Sequence, residues 1–165
     1  MRLATIITPD GPRAAMQVGR AFMDLNYTDP NLPANVRAFL ELGADGIARA
    51  QDAMGRRTAA FVALEEVVLA PPVTDPKKII GIGRNYAAHA AEAGVEPPKE
   101  PVIFAKFNTT LNGHDKPVPL PPPEVSTQVD YEAELVIVVG KAGRFIKKAD
   151  AYKHIAGYSC GNDVS

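Results

Sequence analysis

Apolar residues in the first part of the chain come in short alternating runs. Residues 3–7 are rich in β-formers, Asp10-Gly11-Pro12 is turn chemistry, and apolar segments at 15–18 and 21–25 flank Gly19, which predicts a small antiparallel meander. From Asn35 the period lengthens. Val36, Phe39, Leu40, Ala44 and Ile47 recur at helical spacing, with Asn35 placed to cap them, so one amphipathic helix is predicted to about Ala53. Met54-Gly55-Arg56-Arg57 would close it, and the apolar residues at 62–64 and 67–69 predict a strand or two. Residues 70–76 carry Pro71, Pro72 and Pro76, which block both a helix and a central strand; this marks the expected boundary between a unit of residues 1–73 and a second of residues 74–165. Residues 78–83 read as a buried strand ending in glycines. A proline-rich stretch at 118–123 precedes the most strand-like run, residues 135–140. No solenoid-period repeat or heptad pattern interrupts this order.

Composition narrows the function classes. With 165 residues, 46% of them hydrophobic, the chain can bury a core and suits one domain or one and a half. Its 18 basic and 19 acidic residues leave a net charge of −1, so no global field favours nucleic acid or an anionic membrane as a partner. Cys160 is the single cysteine, which rules out an intramolecular disulfide and a four-cysteine zinc site. A reducing compartment fits, and cytoplasm is the expected location. The opening residues reach Asp10 and Gly11 before a secretory apolar run can develop, and no apolar run approaches the ~20 residues of a membrane helix.

Three places could carry chemistry. In Asp130-Tyr131-Glu132-Ala133-Glu134-Leu135, a strand would set Glu132 and Glu134 on one face, where two like charges call for a neutralising cation and hard oxygen ligands favour magnesium, manganese or calcium. The alternative is two solvated glutamates on an edge strand. Residues 155–160 read as a strand delivering Asn162 and Asp163, so Asp163 is either a third carboxylate ligand or a turn aspartate capping local backbone. Asn85-Tyr86-Ala87-Ala88-His89-Ala90-Ala91-Glu92, if helical, places His89 and Glu92 at i and i+3; they form either a carboxylate-oriented general base or a surface pair. Gly94 and Pro97-Pro98 follow, which predicts a lid over residues 86–100. Gly81-Ile82-Gly83 lacks the third glycine of a dinucleotide fingerprint. His114 and His154 have no partner at ligand spacing and read as surface residues, Cys160 reads as packing in an apolar strand, and Lys106 could turn inward as an anion contact.

In chain order these pieces resemble the fumarylacetoacetate hydrolase family. The matching stretches are residues 79–92 (IIGIGRNYAAHAAE), 101–106 (PVIFAK), 129–141 (VDYEAELVIVVGK) and 156–165 (AGYSCGNDVS). The resemblance implies an α+β fold, a mixed β-sandwich roll preceded by a small α+β N-terminal domain, and a homodimer. It also implies that Glu132, Glu134 and Asp163 hold a divalent cation, foremost magnesium, that His89 and Glu92 activate water, and that Lys106, Arg84 and Tyr86 contact a small oxo-acid substrate. The implied activity is hydrolysis of carbon–carbon bonds in 1,3-dioxo or 2-oxo acids of the acylpyruvate or fumarylpyruvate type. Oxo-acid decarboxylation, hydroxy-diene-dioate isomerisation and a catalytically inactive binding fragment are the alternatives. Chains of the family continue past the match to Ser165, and the continuation brings an arginine, a glutamine and a catalytic lysine. This chain is therefore expected to hold the first part of the catalytic roll, with the apolar strand face of residues 135–139 uncovered.

Overall fold

The computed structural model describes residues 1–56, 58–92 and 94–165. Arg57, expected in the turn that closes the helix, and Ala93, expected within the lid, lie outside the described residues.

The alternating runs form the meander expected of them. β1 (Leu3–Thr8), β2 (Gly11–Val18) and β3 (Ala21–Asp24) pair antiparallel in sequence order. β4 (Phe61–Ala63) and β5 (Leu69–Ala70) add to the two edges, giving a five-stranded antiparallel sheet in the order β4-β3-β2-β1-β5. One element went unforeseen. Asp24 ends β3 and caps the short helix α1 (Leu25–Thr28), its carboxylate accepting from Tyr27 N at 2.9 Å. The same carboxylate is ion-paired to Arg13, whose guanidinium also donates to Asn26 Oδ1 at 3.0 Å.

The single helix expected from Asn35 to about Ala53 is instead two, α2 (Val36–Glu41) and α3 (Gly43–Ala53). Asn35 caps α2 as expected, accepting from Ala38 N at 3.0 Å. The break comes at Gly43, whose φ of +59° lies in the left-handed region; beyond it Ala44 and Ile47, expected on the apolar face, are exposed, and α3 buries Gly46, Ala50 and Ala53 instead. Both helices cover one face of the sheet. Phe39, Val36, Ala50 and Ala53 pack with Ala14, Met16, Met23, Leu25 and Leu32 in one core cluster, and Ile6, Ala15 and Phe22 form a second.

A buried carboxylate ties the helices together. Asp29 accepts from Asn31 N at 3.0 Å and from Asn31 Nδ2 at 3.2 Å, and its other oxygen meets Arg56 at 3.2 Å and Arg49 at 3.5 Å. The Asn31 backbone N–H, then the Asn31 side chain and the two arginines, hold the Asp29 carboxyl below its ordinary value against the opposing effect of burial. A lowered pKa contributes stability that is complete above the unfolded value and is lost as pH falls through the folded one. Thermal melts at falling pH should therefore show the Asp29→Asn protein losing less stability than the parent below the ordinary carboxylate range. Parallel curves would remove Asp29 from the acid transition.

Beyond the prolines the chain forms two separate hairpin-like sheets. β6 (Ile79–Gly83) pairs antiparallel with β7 (Val102–Lys106), and β8 (Ala133–Val139) pairs antiparallel with β9 (Ile155–Asn162), with a register shift between Val138 and Val139. Helix α4 (Ala87–Glu92) follows β6 directly. Among the described residues of this half only Ala90 is fully buried, whereas Leu135, Ile137 and Val139 stand 51–69% exposed along one face of β8. Cys160 is exposed in β9, so the expectation that it packs in a core is corrected: it sits in register with the exposed Leu135. Among the described residues no helix is long and apolar enough to cross a membrane.

Candidate active site

The β8–β9 register decides which carboxylates meet. Ala133 pairs with Asn162 and Glu134 with Gly161, and the pairing runs on past the ladder, where Asp163 N donates to Glu132 O at 2.9 Å and Ser165 N to Asp130 O at 3.1 Å. Directly opposed residues of an antiparallel pair share a face. Glu132 and Glu134 therefore lie on the same face as Asp163, with Gly161 leaving the floor open between them. A Cβ at Gly161 would stand 2.8 Å from Val136 Cγ2 and 3.9 Å from Glu134 Cβ, so a larger residue would crowd that floor.

Lys106 reaches this face from β7. Its ammonium is ion-paired with Asp163 Oδ1, both side chains being largely covered, at 29% and 17% exposure. The paired Oδ1 is buried, with the ammonium as its partner. Two residues back on the same strand face, Phe104 places its ring 5.7 Å from the Lys106 ammonium and sets the far end of the ring against Gly81, where a Cβ would fall 2.2 Å from Phe104 Cζ. Glu132 accepts a hydrogen bond from Ser165 Oγ at 2.6 Å, and its backbone N donates to Asn162 Oδ1 at 3.1 Å. Among the described residues, half-buried Glu134 makes no side-chain hydrogen bond or ion pair, and no group of three His, Cys, Asp or Glu side chains is gathered closely enough to hold a metal ion. The register aligns the three carboxylates, while the Lys106 ammonium supplies the positive charge next to Asp163.

The other sequence-derived candidates sit at the rim. Arg84 follows β6 with φ of +51°, a conformation that costs a non-glycine residue on the order of 1 kcal/mol and that swings the chain from strand to helix. Tyr86 Oη accepts from Leu135 N at 3.2 Å, docking the start of α4 on β8, and the Tyr86 carbonyl accepts from Ala90 N at 3.2 Å inside the helix. His89 and Glu92 both lie in α4 with exposed side chains, and among the described residues no hydrogen bond joins them. His114 stands exposed beside Asp115, and His154 Nδ1 lies 2.9 Å from Lys141 O, so neither belongs to the site.

Phe104, Ser165 and Asn162 were not singled out in the sequence. Phe104 carried a signal, being two residues from Lys106 on one strand face. The Ser165–Glu132 bond depends on strand register and carried none.

A model of the fumarylacetoacetate (FAA) hydrolase C-terminal region matches residues 78–165. The chain belongs to the fumarylacetoacetate hydrolase family. A Xenopus laevis protein named oxaloacetate tautomerase fahd2, mitochondrial, is 40% identical across 100% of this chain and 52% of its own length. Maleylpyruvate hydrolase from Sphingobium sp. SYK-6, solved in complex with manganese(II) and pyruvate, is 28% identical with a TM-score of 0.80, covering 99% of this chain and 58% of the hydrolase. The 5-carboxymethyl-2-hydroxymuconate delta-isomerase from Mycobacterium smegmatis is 30% identical with a TM-score of 0.67, covering 100% and 55%. The chain thus spans about half the length of the relatives it matches, and its α+β architecture is that of the family.

Proposed function

We propose that this chain provides the cation-binding, substrate-facing part of an enzyme that moves a proton at the carbon beside a carbonyl in small 2-oxo dicarboxylic acids, a keto–enol tautomerase. Asp163 carries the reading: it lies opposite Glu132 on the face that also bears Glu134, with one of its oxygens buried. Three carboxylates on one face, with a single ammonium among them, suit a hard cation. Glu132, Glu134 and Asp163 supply oxygen donors only, which favours magnesium, with manganese or calcium as alternatives. The neighbour solved with manganese(II) and pyruvate supports a divalent ion used together with a 2-oxo acid. When bound, the ion would polarise the substrate carbonyl and stabilise negative charge on its oxygen.

The chain's own residues divide the remaining work. Lys106, steadied by Phe104, holds a substrate carboxylate, and Arg84 and Tyr86 flank the opening. His89 takes the proton from the carbon beside the carbonyl and returns one to complete the tautomerisation. The 40% identity to a protein named as an oxaloacetate tautomerase supports this reading. Carbon–carbon hydrolysis is the second reading, favoured by the i, i+3 placement of the same two residues. There His89, oriented by Glu92, would deprotonate water, hydroxide would add to the carbonyl, and the carbon–carbon bond would break to give a carboxylic acid and an enolate, which takes up the proton held by His89.

Glu92→Gln separates the two in the full-length protein supplied with magnesium or manganese. Tautomerisation of enol-oxaloacetate should change less than about threefold, whereas hydrolysis of an acylpyruvate would fall about tenfold or more. Failure of the parent protein to turn over either substrate with either ion would sink both readings.

A further inference from the structure

The linker between the N-terminal sheet and β6 is gripped from both sides. On one side Asp75 accepts from Asn35 Nδ2 at 3.0 Å and from Arg37 Nε and Nη2 at 2.9 and 2.7 Å. Asn35 and Arg37 are the cap and first turn of α2, whose Val36 and Phe39 lie in the core. The Arg37 guanidinium, then the Asn35 amide, hold the Asp75 carboxyl below its ordinary value, as expected for a carboxylate with a forked partner. On the other side Asn108 Nδ2 donates to Pro76 O at 2.6 Å. Between the two grips the linker has little freedom. Pro76 fixes its own φ and restricts Asp75 to extended backbone, Thr5 Oγ1 donates to Pro72 O at 2.9 Å, and Val73 packs on the core.

Asn108 stands two residues beyond Lys106, and Lys106 is the register partner of Ile79, the first residue of β6 after the linker. The contacts therefore run from a buried helix through Asp75 and Pro76 to the strand pair that presents the Lys106 ammonium to Asp163. The next loop is seated on the N-terminal sheet as well: a Cβ on Gly113 would lie 2.7 Å from Leu69 O in β5. We infer that Asp75, clamped by Arg37 and Asn35, is a positioning residue through which the N-terminal unit sets the place of Lys106 in the site. The inference deepens the proposed function and rests on Lys106 facing substrate.

The test compares Arg37→Ala, Asp75→Asn and Asp75→Glu in the full-length protein. In the first two, amide exchange over residues 79–83 and 102–108 should quicken about tenfold while that of β1 and β2 stays unchanged. KM for the oxo acid should rise about fivefold with kcat held within about twofold, because a displaced carboxylate contact weakens binding before it alters chemistry. Asp75→Glu, which keeps the charge, should recover most of both effects. Unchanged exchange over residues 102–108 would overturn the clamp, and faster exchange with unaltered KM would overturn its functional role. Lys106→Ala serves as the independent reference. If that variant leaves KM untouched, the site reading fails, and the exchange measurement still decides whether Asp75 positions β7.

Discussion

Replacing Asp163 by alanine is expected to lower turnover by about 1000-fold, which corresponds to the several kcal/mol of charge stabilisation that a bound cation supplies. Cation binding measured by titration calorimetry should weaken by at least about 100-fold in the same variant. The reason lies in the register of β8 and β9. Asp163 is the carboxylate opposite Glu132 on the face that also carries Glu134, and its Oδ1 is buried beside the Lys106 ammonium. The rival explanation is a purely structural ion pair with Lys106, and melting temperatures distinguish the two. A structural pair would leave Asp163→Ala clearly less stable than the parent, and a second change, Lys106→Ala, would restore that stability by removing the stranded charge. A cation ligand would leave the loss of metal affinity in place in both the single and the double variant. Unaltered affinity for magnesium and manganese in Asp163→Ala would end the cation-site proposal.

What could be read from the chain beforehand follows the reach of each signal. Short apolar runs bounded by glycine and proline are a local property, and they marked the meander, β6, β8 and β9, although residues 78–83, expected to be buried, leave Ile80 and Ile82 exposed. Helical spacing is equally local but blind to a single left-handed residue: Val36 and Phe39 are buried, whereas Ile47, beyond Gly43, is exposed and α3 buries Gly46, Ala50 and Ala53 in its place. Helix α1 has only four residues, too few to show a period, and its existence depends on a carboxylate cap that Arg13 reaches from another strand. The site divides along the same line. That Glu132 and Glu134 share a face is a consequence of strand pleat and was visible. The meeting of Lys106 with Asp163, of Tyr86 with the Leu135 backbone and of Asn108 with Pro76 links segments far apart in the chain, where spacing says nothing. The apolar face of Leu135, Ile137 and Val139 stands open as expected, and the cores are built from residues of the first half.

His89→Ala is expected to reduce kcat by about 100-fold, the lower end of what a positioned proton carrier contributes, with cation affinity unchanged. Among the described residues His89 forms no metal-binding group with Glu132, Glu134 and Asp163, so its removal should leave the carboxylate face intact. Its place is set instead by Tyr86, which anchors to the β8 edge through its hydroxyl and opens helix α4 through its carbonyl. That anchor gives an internal control. Tyr86→Phe keeps the helix carbonyl and the ring but removes the acceptor for Leu135 N, and it should cost only about five- to tenfold through looser placement of the imidazole. Added imidazole should restore part of the activity of His89→Ala, because a free base can occupy the gap left by the side chain, but it should not help Tyr86→Phe, where the base is still present. A His89→Ala protein with parental kcat would exclude His89 as the proton carrier. Rescue of both variants alike would mean that imidazole acts elsewhere, and His89 would lose the role of proton carrier.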